Sequence, residues 1–169
     1  AQPKGSQFHV VDSFSKSVQL GHGLESTGRL SRASMNRTIS AMRICREKLK
    51  RHGVKHMRLV ATEACRRALN GDNFVAQVQR ETGLNLDIIK PEEEARLAVI
   101  SCAPLVSMNT EQLLVVDIGG GSTELVWIDL THVPKRERPR AIMRLHAGFK
   151  SDPGPFAAAK VGHVQARKL

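Results

Sequence analysis

One stretch near the middle of the chain constrains the fold more than any other. It covers residues 115–127 and reads VVDIGGGSTELVW. Apolar and β-branched residues on both sides favour two strands, and the run of glycines excludes a helix between them. The stretch therefore predicts a β-hairpin whose turn is a glycine loop.

The composition of this loop is typical of a phosphate-binding loop. Glycines tolerate positive φ and have no Cβ, so several backbone N–H groups can turn towards one anion. The residues that would bind phosphate are Gly119, Gly120, Gly121, Ser122 and Thr123. From these residues alone, a tight turn without a ligand is an equal alternative. The lysine-bearing P-loop is excluded because no Lys follows the glycines. The dinucleotide-binding fingerprint is excluded because the next segment reads as a strand rather than a helix.

Two acids flank the loop. Asp117 ends the first predicted strand, and Glu124 opens the second. Mg²⁺ prefers a carboxylate together with water and phosphate oxygens, so Asp117 is a candidate metal ligand. Glu124 supplies a second carboxylate on the far side of the loop.

Helical and strand patterns alternate around this hairpin. An amphipathic helix is predicted from the N-cap Ser31 to Gly53, which follows its end. Further helices are predicted over residues 63–70, 72–82 and from Pro91 to about Pro104, and strands over residues 54–61, 86–89 and 141–145. This order predicts an α/β domain with some parallel pairing over residues 1–150. Residues 151–169 lack a clear period and are predicted to form a flexible tail.

Charge and composition limit the partners. The chain carries 26 Lys and Arg against 16 Asp and Glu, a formal net charge of +10, which suits a polyanion. It has no Tyr, one Trp and five Phe, too few for base stacking, so we expect phosphate-rich small molecules or inorganic polymers rather than nucleic acid. Three widely spaced cysteines indicate reduced thiols, and no membrane segment is visible. We therefore expect a cytoplasmic protein with no membrane partner.

Two predicted strand-to-helix junctions carry further charged groups. Residues 92–96 read EEEAR, and residues 62–67 read TEACRR. In one interpretation, the acids at residues 92–94 complement the dipole of the helix that they begin. In the other, one of them removes a proton from an attacking water. An Arg of the second junction is either solvated or binds phosphate with its fork of donors. Ligands collect at the carboxyl ends of strands in α/β sheets, and both junctions and the glycine loop follow such ends.

Three segments in this order resemble one family. VATEACRRALN, FVAQVQRETGLNLDIIKPEEEARL and LLVVDIGGGSTELV are similar to motifs of the exopolyphosphatase / guanosine pentaphosphate phosphohydrolase (Ppx/GppA) family. The resemblance implies the ribonuclease-H-like fold of the actin, sugar kinase and heat-shock ATPase superfamily. It also implies hydrolysis of terminal phosphoanhydride bonds in polyphosphate or guanosine pentaphosphate, with Mg²⁺ as cofactor.

The same resemblance implies a role for individual residues. Glu94 corresponds to the catalytic base, Arg66 to an arginine that contacts phosphate, and Asp117 to an acid that helps to hold Mg²⁺. Glu124 closes the phosphate loop of residues 119–123. Lys90 and Pro91 replace the usual small residues, which is a minor departure.

Two larger departures bear on activity. The first phosphate loop of the family, a D-x-G-S-N-S-like segment, is absent, and so are the regions that complete the cleft in relatives. The chain thus resembles a family member truncated at both ends, with impaired activity expected. The alternatives are a non-catalytic domain that binds a polyanion or a partner, and a kinase or chaperone of the same superfamily. Exposed sheet edges also favour a homodimer.

Overall fold

A computed structural model describes residues 1–4, 7–119, 123–143 and 160–164. The helices are α1 (Leu24–Thr27), α2 (Arg32–Arg51), α3 (Glu63–Arg67), α4 (Gly71–Thr82), α5 (Pro91–Ser101) and α6 (Arg138–Met143), with 3₁₀ turns at Ala103–Leu105 and Lys135–Glu137. The strands are β1 (Gln2–Lys4), β2 (Gln7–His9), β3 (Val60–Ala61), β4 (Asp87–Ile88), β5 (Gln112–Ile118), β6 (Thr123–Asp129) and β7 (Lys160–Val164).

The chain divides into two compact units. The first comprises Ala1–Leu59 and Leu69–Leu86, and the second comprises Val60–Ala68 and Asp87–Leu169. The single domain over residues 1–150 stays a prediction. Strand β3 pairs in parallel with β4, and the segment from β3 to α3 belongs to the second unit.

Helix α2 of the first unit follows the sequence prediction closely. Its N-cap is Ser31, whose hydroxyl accepts a hydrogen bond from the Ser34 N–H at 3.2 Å. Gly53 lies just beyond the helix end at φ 58°, a left-handed conformation that glycine adopts without strain. The predicted apolar face is confirmed, with Ile39 fully buried, and the helix packs against α4.

The N-terminus of α4 differs from the prediction. The sequence predicted a helix over residues 72–82, but the helix begins at Gly71 and its N-cap residue is Asn70, whose side chain makes no capping hydrogen bond. The Asn70 amide instead makes two hydrogen bonds with the backbone of Leu30, at 2.8 and 3.1 Å. The amide therefore ties the start of α4 to the loop before α2, and Phe74 and Val78 are buried behind it.

An ion pair fixes the loop that precedes α1. Lys48 Nζ lies 2.8 Å from both carboxylate oxygens of Asp12, and His52 Nε2 lies 3.0 Å from Asp12 Oδ2. Hydrogen bonds from Lys48 and then His52 lower the pKa of Asp12 from 3.8 to about 2. A carboxyl group whose pKa is depressed in the folded state contributes stability above its unfolded pKa of 3.8, and that stability is lost as the pH falls through about 2.

Asp12→Asn is therefore expected to lower the Tm at pH 7, because the neutral amide cannot form this ion pair. The difference in Tm between variant and wild type should shrink as the pH falls from about 4 towards 2. Thermal melts at a series of pH values measure it. A difference that stays constant across this range would contradict the role of the ion pair, and Asp72→Asn, at another exposed acid of the same unit, is the control.

The short parallel sheet of the second unit replaces longer predicted strands. Of the strand predicted over residues 54–61 only β3 forms, and of the one over residues 86–89 only β4 forms. The register pairs Val60 with Asp87 and Ala61 with Ile88. Because β4 offers only two residues for pairing, residues 54–59 stay outside the sheet.

The predicted hairpin is confirmed as the antiparallel pair β5–β6. The inward residues of each strand alternate with outward ones, so that Val115 faces Val126 across the inner side. Helix α5 covers this side, and its Ala95 and Val99 share one buried core with the hairpin. The outer side is apolar and exposed, with side chains of Leu114, Val116, Ile118 and Trp127.

The segment after the hairpin contains a helix where a strand was predicted. The predicted strand over residues 141–145 is wrong in its described part, which belongs to α6. Arg138, Ala141 and Ile142 are all buried, and their spacing is that of one helical face. The guanidinium of Arg138 also donates to the Val133 carbonyl at 3.1 Å, which fixes the start of the helix.

The predicted flexible tail lies mostly outside the described residues. Its described part, residues 160–164, forms β7 and pairs antiparallel with β6. None of the helices in the described ranges is both long and apolar enough to cross a membrane.

Candidate active site

The two acids of the hairpin lie opposite each other. Asp117 of β5 and Glu124 of β6 are direct partners in the register, so both side chains leave the sheet on its inner side. Asp117 lies two residues after the core residue Val115 on β5. Glu124 lies two residues before the core residue Val126 on β6. Asp117 is half-buried and Glu124 is 2% exposed.

The carboxylate of Glu124 is incompletely satisfied. Its Oε1 is buried and has no hydrogen-bond partner among the residues that the structure describes. A buried, unpaired carboxylate oxygen is costly, so such an atom indicates a missing positive partner. The pair of Asp117 and Glu124 supplies hard oxygen donors from one side, which fits Mg²⁺.

The rest of the coordination would come from other ligands. The described ranges hold no group of three or more His, Cys, Asp or Glu residues that could enclose a metal ion.

The glycine loop is only partly described. Gly119 follows β5 and is exposed, whereas Gly120, Gly121 and Ser122 lie outside the described residues. Thr123 begins β6 and pairs with Ile118, so its side chain is on the side of the sheet opposite to Asp117 and Glu124. The predicted hydroxyl donor at Thr123 is therefore not brought together with the two acids.

Arg66 connects the two predicted strand-to-helix junctions. Its Nη2 donates to Glu94 Oε2 at 2.8 Å and to Glu63 Oε2 at 2.9 Å, and its Nη1 donates to the Ile89 carbonyl at 2.6 Å. The Arg66 and Glu94 side chains are only 15% and 16% exposed. Arg66, which was predicted to bind phosphate, is thus in direct contact with Glu94, the predicted base.

The three acids at the start of α5 have different surroundings. Glu93 accepts two hydrogen bonds from Arg96, at 2.6 and 2.8 Å, and the hydrogen bond with Glu93 raises the pKa of Arg96. Glu92 is exposed. Glu94 contacts Arg66 instead.

Helix α5 precedes the hairpin in the chain. A segment with one 3₁₀ turn joins the end of α5 to the start of β5, and the helix packs against both β5 and β6. Glu94 precedes Ala95, which belongs to the same core as Val115 and Val126.

Glu63 was not among the site residues predicted from the sequence. It is the first residue of α3, and its carboxylate contacts Arg66 at 2.9 Å and Arg67 at 3.6 Å. The i, i+3 spacing of Glu63 and Arg66 is a sequence signal for such a pair, since those positions are neighbours on a helix.

A model of the Ppx/GppA phosphatase family matches residues 1–151. The chain belongs to this family. The resemblance of the three sequence motifs to Ppx/GppA proteins is thereby confirmed.

Solved Ppx/GppA structures share the mixed helix-and-sheet fold of this chain. A Ppx/GppA enzyme of Aquifex aeolicus is 33% identical, with a TM-score of 0.66 over 75% of this chain and 42% of its own. An exopolyphosphatase-like protein is 32% identical, with a TM-score of 0.64 over 71% of this chain and 37% of its own. An exopolyphosphatase from Cytophaga hutchinsonii is 28% identical, with a TM-score of 0.63 over 66% and 36%. This Ppx/GppA chain therefore spans well under half the length of these relatives.

Proposed function

We propose that this chain carries part of a site that hydrolyses terminal phosphoanhydride bonds in inorganic polyphosphate or guanosine pentaphosphate. The observation that carries the proposal is the contact of Arg66 with Glu94, within the unit that also holds the facing acids Asp117 and Glu124. Membership of a phosphatase family and likeness to an exopolyphosphatase support it.

Each residue has a distinct role in this proposal. Arg66 binds phosphate oxygens through its planar fork of donors, which matches phosphate geometry. Glu94 orients water and accepts its proton as the water attacks phosphorus. Because phosphoryl transfer depends mainly on position and electrostatics, the network that fixes Arg66 contributes by holding both groups in place.

Asp117 and Glu124 would hold the metal, and the backbone N–H groups of residues 119–123 would receive the phosphate. Mg²⁺ bound there supplies charge stabilisation for the phosphoryl oxygens. The buried, unpaired Oε1 of Glu124 supports a cation at this position. Residues 120–122 lie outside the described part, so their role rests on the sequence.

The finer fold assignment is also a proposal. We infer that residues 1–150 belong to a ribonuclease-H-like α/β fold of the actin, sugar kinase and heat-shock ATPase superfamily, followed by a tail over residues 151–169. The relatives are more than twice as long as their matched parts, so we propose that further segments complete the cleft in them. A cytoplasmic location and a phosphate-rich partner rather than nucleic acid or a membrane suit this enzyme class.

A second candidate function is a non-catalytic domain that binds a polyanion or a partner. The net charge of +10 favours it. Its signature would be salt-sensitive binding of tripolyphosphate that needs no Mg²⁺ and is unchanged in Glu94→Ala. A homodimer through the apolar outer side of β5–β6 is compatible with either function, and size-exclusion chromatography with light scattering tests it.

Little phosphate release is expected from this chain alone. With tripolyphosphate or guanosine pentaphosphate and Mg²⁺, the rate should stay near the background, because one of two phosphate loops is not among its residues. A malachite-green assay of the wild type and Glu94→Ala measures the release. Steady release that disappears in Glu94→Ala would contradict the predicted impairment while supporting Glu94 as the base.

A further inference from the structure

A groove in the first unit is separate from the site described above. It lies between the C-terminal parts of α2 and α4 and encloses about 530 Å³. All its lining residues belong to the first unit, whereas Arg66, Glu94 and Asp117 belong to the second. The volume falls within the range of small-molecule sites, about 300–1,000 Å³.

The floor of the groove is apolar. Leu49, Val54, Met57 and Leu84 contribute to it, and Met57 is 50% exposed although it is a large apolar residue. Gly53 and Gly83 also line the groove, and a Cβ on either would meet no atom within 4 Å. Val54 and Met57 therefore offer accessible apolar surface that a ligand would remove from water.

The rim of the groove is cationic. Arg46 and Lys50 are one helical turn apart on α2, and Arg80 approaches from α4. Within the described ranges none of these three cations forms an ion pair. The acid of the lining, Glu81, is already paired with Arg43 at 2.7 Å. The groove therefore has a net positive charge that its own side chains leave unbalanced.

We propose that this groove binds a small organic anion, with a phosphate or carboxylate group at the cationic rim and an apolar body on the floor. A bare inorganic anion would leave the apolar surface exposed to water, and a neutral apolar molecule would gain no electrostatic attraction from the three cations. Only a ligand with both parts satisfies both surfaces. This inference is independent of the proposed hydrolase function.

The test uses 1-naphthyl phosphate as the probe, with inorganic phosphate and 1-naphthol as its two halves. Each is titrated into the ¹⁵N-labelled chain, and the amide signals of Gly53 and Gly83 report on the groove. Naphthyl phosphate is expected to shift both signals and to bind more tightly than either half.

Matched variants separate the two parts of the site. Lys50→Gln should weaken naphthyl phosphate binding about two- to five-fold, as should Met57→Gln. Lys55→Gln, an exposed cation that does not line the groove, and Met108→Gln, an exposed methionine of the second unit, should have no effect. The inference is overturned if either half binds as tightly as the whole probe, if no signal shifts, or if the controls weaken binding equally.

Discussion

Replacing Glu124 by methionine is expected to raise the free energy of unfolding of the metal-free chain by about 1–3 kcal/mol. The Glu124 side chain is buried, and its Oε1 has no partner in the described part of the chain. Methionine is of similar length and apolar, so it would fill the same space without a buried, unpaired polar atom. For a chain of this size, each 1 kcal/mol corresponds to about 2–4 °C in Tm.

The same variant should lose the response to metal. In the wild type, Mg²⁺ with tripolyphosphate is expected to raise the Tm, because a ligand that binds only the folded state stabilises it. Glu124→Met should be more stable without metal and should gain little from adding it. Differential scanning calorimetry with and without Mg²⁺ measures both quantities. Glu111→Met, at an exposed acid just before β5, is the control. If Glu124→Met is less stable than the wild type when both are free of metal, this explanation of the buried carboxylate is refuted.

Replacing Arg66 by alanine is the second change with a large expected effect. The variant leaves Glu63 and Glu94 without their shared cation, and it removes the donor to the Ile89 carbonyl. Because these groups are largely but not fully buried, we expect a loss of about 1–3 kcal/mol in stability. Tripolyphosphate affinity should fall about ten-fold or more, since a charge-assisted bidentate contact is lost.

Two further variants separate charge from geometry at this position. Arg66→Lys keeps the charge but not the fork, so it should recover part of the stability and little of the affinity. Arg67→Ala removes the neighbouring cation, which is more exposed and lies 3.6 Å from Glu63. It should change both quantities only slightly. Urea titration and calorimetric titration with tripolyphosphate measure the effects, and equal losses in Arg66→Ala and Arg67→Ala would argue against a specific role for Arg66.

Local patterns predicted the framework of the site well. The glycine run between two apolar segments specified the β5–β6 hairpin, and its register follows from the alternation that places Asp117 opposite Glu124. The cap Ser31 and the glycine at position 53 mark the ends of α2, because these signals act only on neighbouring residues of the same helix.

Contacts between distant residues account for what the sequence did not reveal. Local pattern alone does not separate the three adjacent acids at the start of α5, whereas the contact of the distant Arg66 with Glu94 does. Asn70 likewise acts across the unit on Leu30, which no local pattern indicates. Helix α6 shows the same effect, since tertiary burial of Ile142 favours a helix where composition predicted a strand.

The central claim of the proposed function is that Asp117 and Glu124 hold one divalent ion and that Glu94 acts on a phosphate bound to that ion. Mn²⁺ binds oxygen ligands as Mg²⁺ does and broadens nearby amide signals, so a titration of the ¹⁵N-labelled chain with Mn²⁺ and tripolyphosphate tests it most directly. The account predicts selective broadening at residues 117–119, 123–125 and 93–95, reversed by excess Mg²⁺. Broadening confined to the hairpin with residues 93–95 unaffected, or centred on acids of the first unit, would contradict it.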